Sequence, residues 1–353
     1  MEYVVSARVA QFDIQALTNL EVPRKQAIVP LLNLRGDNLN HINRFASQWG
    51  DYSFMFDISR FAADEDCQLI LQHGLNSPEA HFASKRAMFD YVKGLNDQMI
   101  PVVGWQETDS LRDITQFLLG LDRDYGHIAI RVSLPQANAV TVLRSLLATA
   151  PDTSKISVVL DFESIARNGV PDAGPRGDVA ALIQECAALG VRNIVLLSSS
   201  FPVDRPVNGT ARLVPCADIV WQQQLRRHFE GLPIVYGDYG ATDPNANVDF
   251  VPGMSIIPFA NYYLPLEWWQ KRLGRDKEFE NYVTLAEEIC SLASFHGEGF
   301  CWATREIVRI ATTGDQYGSN GKWNAYKINQ HICAQLDVLR APAYGVVEEE
   351  DEE

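Results

Sequence analysis

Short runs of apolar residues recur along the chain and are separated by longer segments of mixed polarity. Most of the runs are rich in β-branched residues and are apolar throughout rather than alternating. That pattern is typical of parallel strands that are covered on both faces. The runs that predict strands span residues 27–34, 52–58, 99–105, 127–134, 155–162, 193–200, 232–238 and 254–259.

The segments between these runs carry apolar residues at helical spacing. Ser110 is a candidate N-cap for one predicted helix, and Gly190 is a candidate C-cap for another. Strand and helix therefore alternate, which predicts a parallel sheet with its helices outside. The clearest predicted helices between the strands span residues 78–95, 108–121, 135–148 and 178–189.

The regular alternation predicts an α/β fold, a (β/α)8 TIM-barrel-like single domain with extra C-terminal helices near 276–294, 301–311 and 323–340. No GxGxxG or Walker loop is present, which favours the barrel over a doubly wound open sheet, the alternative. The predicted organisation is an N-terminal lead-in at 1–26, the barrel at 27–311, a C-terminal loop and helix over the barrel at 312–342, and a disordered acidic tail at 343–353.

Charge and composition narrow the functional classes. The net charge is −15, and the acidic run at 348–353 carries six of the negative charges. An acidic body argues against broad nucleic-acid binding, which depends on basic patches. No run approaches a membrane span, and the N-terminus lacks the pattern of a signal peptide. The six cysteines form no CxxC pair, so reduced thiols in a cytoplasmic protein are expected.

Acidic residues end or follow several of the predicted strands. In a barrel the carboxyl ends of all strands meet at one mouth, and residues two apart on a strand share a face. Acid–base catalysis or binding of Mg²⁺ or Mn²⁺ would suit such a ring of carboxylates. The candidate catalytic acids are Asp57, Glu107, Asp161, Glu163 and Asp238, of which Asp161, Glu163 and Asp238 are the candidate metal ligands.

Basic and aromatic residues near the same strand ends are candidates for ligand binding. Arg60 and Arg131 have the guanidinium geometry that holds an anion through paired hydrogen bonds. Trp105 and Tyr239 lie beside the candidate acids in sequence. The structural alternative is that these charges cap helices or pair with one another, as Arg131 would with Asp161 across adjacent strands.

The segment YYLPLEWWQKRLGR, residues 262–275, interleaves aromatic and basic residues. Two interpretations are open: a stacking surface for nucleic acid, with Tyr262 as a ligand-binding candidate, or a covered helix with a basic edge, which we favour. His331 lies in a predicted helix and is a candidate catalytic residue, with a packing role as the alternative.

Several segments together resemble the phage beta-protein family, which is found in phages and bacterial genomes. The resemblance rests on VPLLNLRGDNLNHI, VVLDFES, GDYGATDP, the YY…W…RLGR region and GSNGKWNAYKINQHI. In the last of these, Trp323, Asn329 and His331 fit the family pattern. Gln330 stands where the family has its first His, and Lys327 stands where a Gly is usual.

The resemblance implies a TIM-barrel-type fold and a setting near mobile-element or anti-phage defence genes. It favours Asp238, Tyr239, Trp323 and His331 as site residues, because the patterned positions fall on polar residues. The leading hypothesis is a protein of phage–host conflict that binds an anionic nucleotide or nucleic-acid-derived ligand at the barrel mouth. One alternative is a non-catalytic scaffold that meets a partner protein encoded nearby through segment 262–275 or the acidic tail. A glycosidase-like barrel with Glu107 and Glu163 as its carboxylate pair is the other.

Overall fold

Eight parallel strands close into a barrel in the computed structural model, which describes residues 1–61, 64, 67–246 and 255–341. The barrel uses β1 to β7 and β9 in sequence order, and β9 pairs with β1 to close it. The strands are β1 (Tyr3–Arg8), β2 (Ile28–Leu34), β3 (Phe54–Ile58), β4 (Met99–Val103), β5 (Ile128–Ser133), β6 (Ile156–Ser164), β7 (Asn193–Ser199), β8 (Ala211–Pro215), β9 (Ile234–Asp238), β10 (Phe259–Leu264) and β11 (Glu267–Arg272).

Helices follow the barrel strands and surround them, so the predicted α/β barrel is confirmed. None of the described helices is long and apolar enough to cross a membrane. The helices are α1 (Gln11–Thr18), α2 (Val22–Ala27), α3 (Asn40–Trp49), α4 (Gln68–Gln72), α5 (Ala83–Leu95), α6 (Leu111–Asp124), α7 (Ala139–Thr149), α8 (Ile165–Asn168), α9 (Asp178–Ala188), α10 (Ala217–His228), α11 (Asn281–Cys290), α12 (Trp302–Thr313) and α13 (Asn320–Arg340).

The first barrel strand comes from the segment that the sequence predicted to be a lead-in. Tyr3 of β1 pairs with Ile28 of β2 on one side and with Tyr236 of β9 on the other. The prediction that 254–259 forms the eighth barrel strand was wrong. Residues 255–258 belong to no helix or strand, and Phe259 begins β10, which lies outside the barrel. Polar Ser6 interrupts the apolar pattern of β1, which hid this strand.

Alternate residues of each strand face the barrel interior or the helices. Tyr239, just after β9, packs with the residues that fill the barrel, whereas Tyr236 packs in the outer core beneath the helices. This period of two decides which strand-end side chains reach the mouth. The interior is filled mainly by branched residues, including Val4, Val29, Leu31, Met55, Ile100, Val102, Ala129, Val159, Val195, Leu197 and Val235.

Strands β10, β11 and β8 form a separate antiparallel sheet in that order. Residues 262–272 therefore lie in a β-hairpin rather than in the predicted helix. Leu264 pairs with Glu267, and the two-residue turn places Leu266 at a φ of 63°. The aromatic residues of the hairpin are buried, so they offer no stacking surface for nucleic acid; they are Tyr262, Tyr263, Trp268 and Trp269.

Helix α13 packs on the outside wall of the barrel, where it closes the ring of helices beside β9 and α1. His331 Nε2 lies 2.7 Å from Asp238 Oδ2 at the end of β9, and Asn329 donates to the carbonyl oxygen of Ala16 in α1. The amide of Gln330 forms both hydrogen bonds with the backbone of Tyr263, at the free edge of β10. The helix thus lies against the barrel rather than across its mouth. The acidic tail at 343–353 lies outside the described residues.

Candidate functional site

Arg131 of β5 lies at the centre of a polar network at the carboxyl ends of the barrel strands. Its side chain is 3% exposed and faces the barrel axis. Nε donates to Asp161 Oδ2 at 2.8 Å, and Nη1 donates to Asn33 Oδ1 at 2.5 Å and to Asp57 Oδ2 at 3.2 Å. Strands β2, β3, β5 and β6 are therefore linked through one guanidinium. The predicted pairing of Arg131 with Asp161 is present.

Asp57 forms a second group of contacts in this network. Arg60 Nη2 donates to Asp57 Oδ2 at 2.9 Å, and Lys85 Nζ lies 3.6 Å from Oδ1. Burial alone would raise the pKa of Asp57, but the charges of Arg60, Lys85 and Arg131 outweigh it and lower that pKa. Burial lowers the pKa of Lys85 to about 8. Asp57 is therefore an anion that organises three cations.

Tyr239 completes the network from the end of β9. Its hydroxyl lies 2.6 Å and 2.7 Å from the two carboxylate oxygens of Asp161, and Arg131 Nη2 lies 3.0 Å from the same hydroxyl. Burial raises the pKa of Tyr239, and the Asp161 carboxylate raises it further. The phenol is held protonated and donates to Asp161.

Glu163 lies at the rim, beside Asp161. Its backbone has a φ of 54°, in the left-handed region, and its N–H donates to Asp161 Oδ1 at 2.9 Å. Its carboxylate accepts from Ser133 Oγ at 2.7 Å and from Asn245 Nδ2 at 3.1 Å. An unfavourable φ at a non-glycine residue is tolerated where neighbours hold it, and such residues concentrate at functional sites.

Two recesses, each of about 300 Å³ including its open mouth, flank this network. Phe61 borders both recesses. Its ring packs edge-on against Tyr239, which lines the first recess, and lies 5.4 Å from the guanidinium of Arg131, which lines the second. The first recess is lined by Ser6, Ala7, Arg8, Asp13, Asn33, Phe61, Asp64, Tyr239, Thr242 and Pro244. The second is lined by Arg60, Phe61, Arg131, Ser133, Gln136, Asp161 and Glu163.

Asp238 and His331 form a separate cluster beneath the helices. Asp238, 2% exposed, accepts from Tyr3 at 2.5 Å and from Tyr236 at 3.1 Å, and it contacts His331. The backbone N–H of Gly240 donates to it at 2.8 Å. Asp238 is two residues after Tyr236 and therefore shares its outward face, whereas the neighbouring Tyr239 faces the mouth.

Four other candidates lie away from the network. Trp105 is buried in the outer core, and only its carbonyl oxygen reaches Arg60. Glu107 lies exposed in the segment after β4. Glu163, its expected partner in a glycosidase, hydrogen-bonds instead to Ser133 and Asn245. Tyr262 contacts His296, and Trp323 stacks on Tyr282 with 4.5 Å between ring centroids.

The three carboxylates expected to share a metal ion do not form one site. Asp161 and Glu163 lie at the mouth, but Asp238 points to the outer core, where hydrogen-bond donors surround it. Within the described ranges, no group of three His, Cys, Asp or Glu residues is arranged to hold a metal ion. The residues present therefore do not fit the expected divalent cation.

Sequence reasoning missed residues that now belong to the network. Asn33 is the next-to-last residue of β2, and a polar residue near a strand end was the signal that could have found it. Lys85 reaches the mouth from α5, where nothing in the helical pattern marks it. Phe61 follows β3 and also carried no signal.

The closed parallel barrel with its polar carboxyl-end network defines a TIM-barrel-type α/β protein. The family model described as Beta protein matches residues 3–337, so the chain belongs to that family. The chain is also 23% identical to Protein beta of Enterobacteria phage P4 over 377 aligned positions, which cover 99% of this chain and 97% of that protein.

Proposed function

We propose that the barrel mouth binds an anionic nucleotide or nucleic-acid-derived ligand, and that this binding serves anti-phage defence in phage–host conflict. The observation that carries the binding proposal is the second recess, in which Arg60, Arg131 and the Phe61 ring border one opening. A guanidinium matches a phosphate, and an aromatic ring offers a stacking surface for a base. Family membership supports the setting, since one relative is a phage protein.

Arg60 is the residue that would meet the anion directly. Its side chain is 11% exposed, whereas Arg131 is 3% exposed and already bonded to Asp57, Asp161 and Asn33. Arg131 would instead hold the floor of the site in place. Ser133 and Gln136 supply neutral polar groups at the same opening, suited to hydroxyl or base edges.

If the site is catalytic, the residues present favour acid–base chemistry on a ligand held at this opening. Glu163 is at the rim and Tyr239–Asp161 forms a hydrogen-bonded pair below it. The glycosidase alternative loses support, because Glu107 lies exposed outside the network. The scaffold alternative loses the segment 262–275 as its surface, because the aromatic side chains there are buried.

Calorimetric titration tests the binding proposal. The wild-type protein is titrated with inorganic phosphate and with mono- and triphosphate nucleotides, each with and without Mg²⁺ or Mn²⁺. Arg60→Gln is expected to weaken binding about tenfold, the loss of one charged hydrogen bond. Arg144→Gln, which removes an exposed ion pair with Glu185, is the matched control and is expected to bind as wild type does.

Absence of binding to the folded wild type would overturn the proposal, as would equal binding by Arg60→Gln and wild type. The defence setting has its own assay: plating efficiency of phages on a bacterial host that expresses wild type or Arg60→Gln. Lower plating efficiency on the host that expresses wild type, but not on the host that expresses Arg60→Gln, supports the defence role. Equal plating on wild-type and empty-vector hosts contradicts it.

A further inference from the structure

The side-chain amide of Gln136 carries an oxygen that lacks a hydrogen-bond donor. Gln136 lies between β5 and α7 and lines the second recess. Its Oε1 is buried and accepts no hydrogen bond within the part of the chain that the structure describes. An oxygen buried without a donor is costly, and nearly every buried polar atom of a native protein has a partner. One acceptor of this recess is therefore open to a donor from a bound molecule.

The carboxylates at the same opening already have donors. Asp161 accepts from Arg131 and from the backbone N–H of Glu163. The carboxylate of Glu163 accepts a hydrogen bond at each of its two oxygens, one of them from Ser133 Oγ at 2.7 Å. Among the carboxylate and amide oxygens of the described side chains that line this recess, the oxygen of Gln136 is thus the one that a ligand would complete.

The Gln136 amide lies beside the cation expected to hold the phosphate. Arg60 Nη1 donates to the carbonyl oxygen of Trp105 at 3.1 Å, and Gln136 Nε2 donates to the same oxygen at 3.5 Å. The second of these bonds is long, and the terminal torsion of an amide side chain has broad minima, so a small rotation turns Oε1 toward the opening. A ligand group that donates to Gln136 must therefore lie close to the phosphate of the same ligand.

We propose, building on the function proposed above, that the second recess selects ribonucleotides. Gln136 Oε1 accepts from a ribose 2′-hydroxyl while Arg60 holds the neighbouring 3′-phosphate. These two groups lie on adjacent carbons of the sugar, whereas the hydrogen-bonding edge of the base lies farther from the phosphate. The 2′-hydroxyl is the group by which proteins distinguish RNA from DNA. The ligand class is therefore an RNA-derived 3′-phosphate, and a deoxyribonucleotide leaves the Gln136 oxygen without its donor.

Calorimetric titration with matched ligands tests this selection. The wild-type protein is titrated with adenosine 3′-monophosphate, with its 2′-deoxy form, and with its 2′-fluoro form, which cannot donate a hydrogen bond. The ribonucleotide is expected to bind about tenfold more tightly than either analogue, the effect of one hydrogen bond to an otherwise unpaired group. Gln136→Leu is expected to bind all three alike, with the affinity that wild type shows for the 2′-deoxy form.

The stability of Gln136→Leu separates a ligand contact from a structural role. The melting temperature of this variant is expected to equal or exceed that of wild type, because the variant loses a buried oxygen that has no donor. Gln184→Leu, an exposed change on α9, is the matched control and is expected to keep the wild-type preference for ribose.

Arg60→Gln is expected to weaken the binding of all three nucleotides by the same factor, which distinguishes loss of the phosphate contact from loss of the hydroxyl contact. Equal affinity of wild type for the ribose and deoxyribose forms would overturn the inference and leave phosphate binding at Arg60 in place. A ribose preference that persists in Gln136→Leu would also overturn it. If neither inorganic phosphate nor any nucleotide binds, the proposed function is wrong and this inference is wrong with it.

Discussion

The guanidinium of Arg60 lies where a side chain at position 104 would begin. A β-carbon placed on Gly104 would come within 2.0 Å of Arg60 Nη1 and 2.3 Å of Nη2. Glycine at this position, directly after β4, therefore lets Arg60 reach both Asp57 and the carbonyl oxygen of Trp105. A glycine at the end of β4 thus determines where Arg60, which follows β3, can place its guanidinium.

Gly104→Ala is expected to displace Arg60, since the clash falls on the far end of a flexible side chain. The expected cost is about 1–3 kcal/mol of unfolding free energy, from loss of the charged hydrogen bonds of Arg60. Ligand affinity is expected to fall as it does in Arg60→Gln. The double variant is expected to be little worse than either single one, because both act on the same group.

Urea unfolding measures the stability of these variants, and titration measures their binding. Gly94→Ala is the control: nothing lies within 4 Å of its added carbon in α5, and alanine favours a helix. This control is expected to be unchanged or slightly stabilised. Additive losses in Gly104→Ala/Arg60→Gln would contradict the proposed displacement.

Arg131→Met is expected to lower the unfolding free energy by about 3–5 kcal/mol, because Asp57 and Asp161 remain buried without their shared cation. Asp161→Asn is expected to cost less, since the amide still accepts a hydrogen bond. The exposed pair Arg144–Glu185 provides the comparison, and its removal is expected to cost about 1 kcal/mol or less. Similar losses of unfolding free energy at both sites would show that Arg131 and its carboxylates are not desolvated as described.

Lys327→Met is expected to stabilise the protein at neutral pH. The amine is buried with its Nζ 4.4 Å from the Phe201 ring centroid, and burial lowers its pKa from 10.5 to about 8. A lysine with a lowered pKa in the folded state destabilises that state fully below pH 8, and the effect disappears as the pH rises to about 10.5. The expected gain is about 2–3 kcal/mol at pH 7.

Equilibrium unfolding at pH 7 and pH 10 checks this prediction, because the gain is expected to shrink between the two values. Exposed Lys277→Met is the control and is expected to change stability by about 0.5 kcal/mol or less. A Lys327→Met variant that is less stable than wild type at pH 7 would show that the amine has a stabilising partner.

Asp238→Asn is expected to separate stability from ligand binding. The carboxylate accepts from Tyr3, Tyr236 and the N–H of Gly240, and it contacts His331; an amide cannot accept all of these donors. The expected loss is about 1–3 kcal/mol. Binding at the mouth is expected to stay within about twofold of wild type, in contrast to Arg60→Gln. Loss of binding in a folded Asp238→Asn protein would return Asp238 to the functional site.

Most of the barrel could be predicted because its strands are continuous apolar runs separated by helical patterns. The same continuity hid the orientation of each strand. A strand buried on both faces carries no alternation, so nothing in IVYGDYG indicates whether Asp238 or Tyr239 faces the barrel axis. Pairing with β1 and β7 settles this choice, and it places Tyr239 inward.

Residues joined only by the tertiary fold were beyond sequence reasoning. Lys85 reaches Asp57 from the first turn of α5, with no short-range motif for the contact. By contrast, Arg131 and Asp161 were correctly paired, because they lie on adjacent parallel strands, where Asp161 is two residues beyond Val159, the register partner of Arg131, and shares its face. The local sequence pattern predicts the helices, the strands and the contacts between adjacent strands. Contacts between more distant elements depend on tertiary packing.

The amide of Gln330 imitates a peptide group. By accepting from the N–H of Tyr263 and donating to its carbonyl oxygen, this side chain of α13 satisfies the outer edge of β10 as a further strand would. A foreign strand would have to displace a buried glutamine to add there. Within the described residues, the three-stranded sheet is therefore terminated by a helix on one side, and only its β8 edge is left for growth.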